Sequence, residues 1–273
     1  MQEFQRMVNS PESGPLSVPA EAFLTPDKAA NLANDAVEIV IVPLNVEADA
    51  FNALAGWLHD DEQRIAQRFH FERDRRRFIV ARARLRQVLA ARLGTQPRAV
   101  ELAYTAHGKP MLAADSASID LRFNVSHCND VAVFAFCRGR EVGVDVEMIE
   151  RVEGIDEIAA YFFSRNELRA FRALAAADRE VAFFNCWTRK EAFVKALGEG
   201  LHFPLGSFDV SLAPREPARI LRVAGQDGAQ CGWFLRSFSP LPGYVAAVVV
   251  ERCRPAANDA AFIKAPARAI WTH

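Results

Sequence analysis

The chain has 273 residues and a net charge of -1, with half its residues hydrophobic and a quarter charged. That balance fits a soluble globular protein and gives no overall pull toward nucleic acid or a membrane surface. No stretch reaches the roughly 18 apolar residues of a membrane helix, and the five cysteines form no C-x-x-C pair, which argues against a disulfide framework or a zinc site and for reduced thiols in the cytoplasm.

Residues 1–35 lack the apolar run of a signal peptide and read as a flexible N-terminal extension. The folded part is expected to begin near Val37, where VEIVIVPL reads as a buried strand. A helix over Asp60 to Phe69 follows, with acidic residues in its first turn. A longer one runs from Glu72 to Leu93, its Phe78, Leu85, Val88 and Leu89 at helical spacing and Gly94 as its stop. Short strands are expected at Val100 to Tyr104 and Leu121 to Val125. Val131 to Cys137 and Glu141 to Glu147 flank Arg138-Gly139-Arg140, which reads as a hairpin.

The second half follows a similar plan. Ser164 and Glu167 form a capping box before a helix toward Ala175. A long helix from Asp178 ends at Gly198, and strands are expected at Ser207 to Leu212, Trp233 to Phe238 and Tyr244 to Glu251. Helices followed by strands, twice over, give an α+β fold of two similar halves, residues 36–140 and 141–253, with a C-terminal tail over 254–273. The duplication rests on element order, since no residue-level repeat is visible.

Five constellations hold groups that can do chemistry. In Gly143-Val144-Asp145-Val146-Glu147, strand alternation puts Asp145 and Glu147 on one face about 6–7 Å apart, with Val144 and Val146 toward the core. Two such carboxylates suit a hard divalent cation shared with a substrate phosphate, or simply a solvated strand face. In Trp187-Thr188-Arg189-Lys190-Glu191-Ala192-Phe193-Val194-Lys195, Glu191 and Lys195 lie one helical turn apart with Lys190 beside them. The apolar residues around them favour a cleft over bulk water. Phe123-Asn124-Val125-Ser126-His127 ends a strand in a polar pair able to bond phosphate oxygens. Lys109 stands out from the His107-Gly108-Lys109-Pro110 turn. Arg73, Arg75, Arg76 and Arg77, with Arg82, Arg84 and Arg86, make either a phosphate site or a solvated helix face. Each pattern by itself has a bland reading as surface or turn.

In order and spacing, the set resembles the 4'-phosphopantetheinyl transferase superfamily. G-K-P, F-N-x-S-H, G-(V/I)-D-x-E and W-(S/T/C)-x-K-E-(A/S)-x-x-K all occur here, over a resemblance that spans Val37 to Glu251. Length and the Trp-x-x-Lys-Glu-Ala form resemble the surfactin-synthetase-activating type, a single-chain pseudo-dimer with pseudo-twofold symmetry. The resemblance implies transfer of the phosphopantetheine arm of coenzyme A to a serine of an acyl or peptidyl carrier protein, releasing adenosine 3',5'-bisphosphate. It further implies magnesium, or manganese in its place, held by Asp145, Glu147 and Glu191. Glu191 would also take the serine proton, and Lys195 would steady the phosphate. Ser126, His127 and Lys190 would bind coenzyme A phosphates, Arg77 its 3'-phosphate and Lys109 its adenine end. Two departures stand out. Cys128 occupies a position where the family places a small polar residue, and Glu62 and Gln63 replace basic residues, with Arg64 and Arg68 as substitutes. A monomer acting on carriers of polyketide, nonribosomal peptide or fatty acid synthesis is implied, with no nucleic-acid or membrane partner. The alternatives are a non-catalytic relative that binds coenzyme A or a carrier, and a coenzyme A pyrophosphate hydrolase.

Overall fold

The computed structural model describes residues 36–113, 120–200, 203–223 and 226–252, and the expected N-terminal extension and the tail over 254–273 lie outside them. The described chain divides into two compact units that meet in sequence at Glu141 and Val142.

The first unit contains β1 (Glu38–Pro43), α1 (Ala48–Ala55), α2 (Asp60–Ala66), α3 (Glu72–Leu93), β2 (Leu102–Tyr104), β3 (Pro110–Leu112), β4 (Leu121–Cys128) and β5 (Val131–Arg138). Its main sheet is antiparallel in the order β1-β5-β4. β5 is central and almost wholly apolar, and it is buried from Val131 to Cys137. A strand with a neighbour on each side and apolar residues on both faces reads as this kind of continuous run. Phe123, Phe134 and Phe136 pack with Ile79, Val80, Leu85 and Leu89 of α3. Each large apolar side chain so buried stabilises the unit by about 1.5–3 kcal/mol. α3 stops where expected, at Gly94, whose φ of 65° is left-handed and favours glycine.

The second unit contains β6 (Val142–Met148), α4 (Ile155–Phe162), α5 (Arg165–Arg172), α6 (Ala176–Leu197), β7 (Phe208–Val210), β8 (Ile220–Val223), β9 (Gln226–Asp227), β10 (Trp233–Phe238) and β11 (Tyr244–Glu251). β6, β11 and β10 form an antiparallel sheet with β11 central, and β7-β8-β9 form a second small sheet. α6 is the spine of this unit. Its Phe183, Phe184, Trp187 and Phe193 are buried among aromatic neighbours.

The two units share one connectivity. In each, a first strand leads into helices that include one of 22 residues, then into a separate small sheet (β2-β3 or β7-β8-β9) and two further strands that pair with each other. The last strand inserts between its predecessor and the first strand, as β5 does between β4 and β1 and β11 does between β10 and β6. The expected α+β class holds, and each unit joins helices to an antiparallel sheet.

Several local expectations change. β5 and β6 do not form a hairpin: β5 pairs with β4 and β1, and β6 pairs with β11. Arg138-Gly139-Arg140 is the passage from one unit to the next, and the real hairpin turn is Asn129-Asp130, between β4 and β5. β4 also runs on to Cys128, so Ser126 and His127 are ladder residues opposite Val133 and Ala132 rather than a turn beyond the strand. The first acidic helix is shorter than expected, ending at Ala66. No helix among the described residues is long and apolar enough to cross a membrane.

Candidate active site

β6 carries the first acidic pair, and the strand is buried on both faces. Val144 and Val146 are buried as expected, but so is Asp145, at 2 % exposure. Asp145 lies opposite Ala247, and Gly143 opposite Val249, both in the core that α6 shares. The acidic face of β6 is thus the face that α6 covers, not a solvated one. Gly143 makes that approach feasible, because a Cβ there would overlap the Ala192 carbonyl oxygen and the Ala196 amide nitrogen of α6. The glycine of the G-V-D-V-E run sets the strand–helix spacing, and the spacing brings Asp145 to the helix.

α6 supplies the other side of the site. Glu191 and Lys195 are one turn apart and share a face. Lys195 Nζ donates to Asp145 Oδ1 at 2.6 Å. Glu191 is 4 % exposed, and burial together with the nearby Asp145 pushes its carboxyl up to about 7, against the opposing pull of Lys195. Burial disfavours the charged form of Lys195, but Asp145, Glu191 and Glu147 together outweigh it and raise the ammonium above its ordinary value. One ammonium therefore faces two buried carboxylates, with a third, half-buried, two residues along β6.

No three His, Cys, Asp or Glu side chains gather into a ready cation site among the described residues. The donors nonetheless fit a divalent cation that takes a few carboxylates and completes its shell with substrate phosphate. They are hard oxygen donors, two of them buried near one another.

Lys190 is turned elsewhere. It is fully buried, and its Nζ donates to the Leu205 and Phe208 carbonyl oxygens at 2.8 Å each. It also pairs with Glu167 Oε2 at 2.8 Å. An ammonium has three donors, and three protein oxygens take them. The expected coenzyme A contact of Lys190 is corrected on this ground. Arg189 likewise points inward, to Ser211 and Ser237. Sequence reasoning saw Glu167 only as a helix cap and missed it as the partner of Lys190. Nothing short of the packing could have matched residues 23 positions apart.

The remaining candidates lie in the first unit. Arg77 Nε donates to Asp130 Oδ1 at 2.8 Å, and its Nη1 lies 3.6 Å from Asp74. This ties the first turns of α3 to the turn that follows Ser126 and His127. Ser126 is buried and His127 exposed. Lys109 Nζ donates to Glu141 Oε2 at 3.0 Å, and Arg122 donates to the other Glu141 oxygen at 3.1 Å. Arg77 and Lys109 are therefore cations already matched with carboxylates, and Asp130 and Glu141 are the partners that sequence reasoning missed.

Residues 45–138 match the family described as 4'-phosphopantetheinyl transferase, N-terminal, and residues 141–249 match the 4'-phosphopantetheinyl transferase superfamily. The 4'-phosphopantetheinyl transferase HetI of Nostoc sp. is 34% identical over 80% of this chain and 89% of its own length. A phosphopantetheinyl transferase of Thraustochytrium sp. is 30% identical over 80% of this chain and 83% of its own. The 4'-phosphopantetheinyl transferase gsp of Aneurinibacillus migulanus is 28% identical over 62% and 68%.

Proposed function

As this chain belongs to the 4'-phosphopantetheinyl transferase superfamily, we propose that it moves the phosphopantetheine arm of coenzyme A to a serine of a carrier protein, with Glu191 as the base. The observation that carries the reading is the trio of buried Asp145, buried Glu191 and partly exposed Lys195, in which one ammonium faces two carboxylates.

The serine oxygen bonds to the phosphorus on the pantetheine side of the pyrophosphate. The bridging P–O bond breaks, its electron pair leaves with adenosine 3',5'-bisphosphate, and the serine proton goes to Glu191. Burial and Asp145 raise the Glu191 carboxyl and make it a better proton acceptor than a free carboxylate. Lys195 keeps a cation beside the reacting phosphate as charge moves to the leaving group. Asp145 holds Lys195 in place and excludes rival rotamers. Magnesium, or manganese, held by Asp145, Glu191 and Glu147, would supply charge neutralisation to the pyrophosphate. Ser126, His127, Arg77 and Lys109 remain the proposed coenzyme A contacts; Arg77 and Lys109 would exchange carboxylate partners for phosphate. The chain is read as a monomer acting in the cytoplasm on polyketide, nonribosomal peptide or fatty-acid carriers.

Incubating the protein with coenzyme A, magnesium and a panel of apo carriers tests this by mass. A carrier should gain one phosphopantetheine, and no phosphopantetheine should appear without a carrier. Release in the carrier's absence would make the protein a hydrolase. Coenzyme A binding without any mass gain would make it a non-catalytic relative.

A further inference from the structure

Lys190 is adjacent to Glu191 in sequence, yet the two side chains serve different sides of α6. Successive helical residues are about 100° apart around the axis. Glu191 looks toward Asp145 of β6, while Lys190 looks toward α5 and β7. There its ammonium joins three separate pieces of chain: Glu167 of α5, Leu205 in the connection from α6 to β7, and Phe208 at the start of β7. The Phe208 ring lies 4.0 Å from the same ammonium.

Glu167 is itself fully engaged. Its Oε2 accepts from the Ser164 amide at 2.7 Å, and its Oε1 accepts from the Val210 amide at 2.7 Å. Its backbone amide donates to Ser164 Oγ at 3.2 Å, closing the capping box of α5. The pair is thus a satisfied network with no exposure at either member. Breaking one half of such a pair is costly, whereas neutralising both halves is tolerated.

We infer that Lys190 and Glu167 are positioning residues that fix the rotation of α6 about its axis, and with it the place of Glu191 beside Asp145. This rests on the proposed role of Glu191 as base. On the far side, Gly143 lets β6 lie directly on the helix at Ala192 and Ala196. The helix is held between that contact and the Lys190 clamp. A carboxylate stands about 5–6 Å from the axis, so a 20° rotation moves it by about 2 Å. A displacement of even about 1 Å at a reacting group costs on the order of 100-fold in rate. The clamp therefore acts on turnover without touching coenzyme A.

The test compares wild type, K190M, K190R and E167Q/K190M by steady-state transfer to an apo carrier and by thermal melting. K190M should lose on the order of 100-fold in kcat while its KM for coenzyme A stays within about twofold. E167Q/K190M should recover at least a tenfold share of that loss, since the stranded carboxylate is gone. Should K190M fail to fold, K190R and the double variant carry the same comparison, each with lowered kcat and unchanged KM. A raised KM for coenzyme A with no recovery in the double variant would show a phosphate ligand and overturn the inference. So would lowered melting with unchanged kcat, which marks a filler of the core. Absence of transfer by the wild type would instead remove the functional reading itself.

Discussion

The two long helices differ in how their buried charges are balanced, and the difference separates scaffold from site. In α3, Arg86 is 1 % exposed, and its Nε donates to Glu62 Oε2 at 2.7 Å. Its Nη1 donates to the Pro97 and Val100 carbonyl oxygens at 3.1 and 2.8 Å. Arg82 adds a second guanidinium 3.6 Å from Glu62. The excess there is positive, and backbone oxygens absorb it. At α6, by contrast, two buried carboxylates, Asp145 and Glu191, lie near Lys195, and the Glu191 carboxyl rises to about 7. A buried carboxylate matched by guanidinium groups holds elements together. A buried carboxylate raised by burial and by a second carboxylate beside it is prepared to receive a proton or a metal ion.

The sharpest contrast comes from removing the carboxylates. E191Q keeps the shape of the side chain and should lower transfer by about 10²–10⁴-fold, the range of a lost general base, while its melting temperature stays at or above that of wild type. Normal turnover by E191Q would place the base elsewhere. E62A should do the opposite. Stranding Arg86 is expected to destabilise the first unit by about 3–5 kcal/mol, measured by denaturant unfolding, with little change in the KM for coenzyme A of the protein that remains folded.

Next in size is G143A. The added methyl must push β6 away from α6, which costs about 1–3 kcal/mol as overpacking and should lower kcat, since Asp145 moves off Lys195. Wild-type stability with reduced kcat would show that the strand yields; loss of neither would show that the spacing is not set at Gly143.

The pH dependence has a defined sign. Because Glu191 is raised above its ordinary 4.5, the folded state prefers it protonated. Its contribution is therefore most favourable below pH 4.5, declines as pH rises toward 7, and is constant above that. The decline is at most about 3 kcal/mol. Unfolding of wild type and E191Q, compared at pH 4.5 and 7.5, isolates it, since E191Q should lack the decline. Added magnesium should stabilise wild type more at pH 7.5 than at pH 4.5. The smallest effect belongs to the exposed Arg75–Glu72 pair on α3: R75A should leave the unfolding transition essentially unchanged, since the pair is open to water and screened by salt.

Much of this was legible in the sequence, for physical reasons that differ by element. α3 and α6 are fixed by apolar spacing and by Gly94 and Gly198, both in the left-handed region. The Ser164–Glu167 capping box is a local hydrogen-bond pattern, so four residues suffice to recognise it. α1 and α4 were not legible because each is short and opens without a side-chain cap, unlike α5 with its capping box. The β5–β6 hairpin was misread because a glycine between two apolar runs looks the same whether the strands pair or part. In the site, the motif identified Asp145, Glu191 and Lys195. It could not show that Lys190 faces the other way, since Lys190 is assigned by Glu167, Leu205 and Phe208, which the chain brings there only on folding. Nor could alternation show which face of β6 meets a helix; that was decided by Gly143, whose missing side chain is invisible to a hydrophobic pattern.

The central claim is that Glu191 removes the serine proton in an otherwise intact site. The most direct measurement pairs calorimetric binding of coenzyme A with the mass of an apo carrier, for wild type and E191Q, at saturating coenzyme A and magnesium. The account predicts similar coenzyme A binding by both proteins and a phosphopantetheine mass gain with wild type alone. An equal mass gain with E191Q would contradict it.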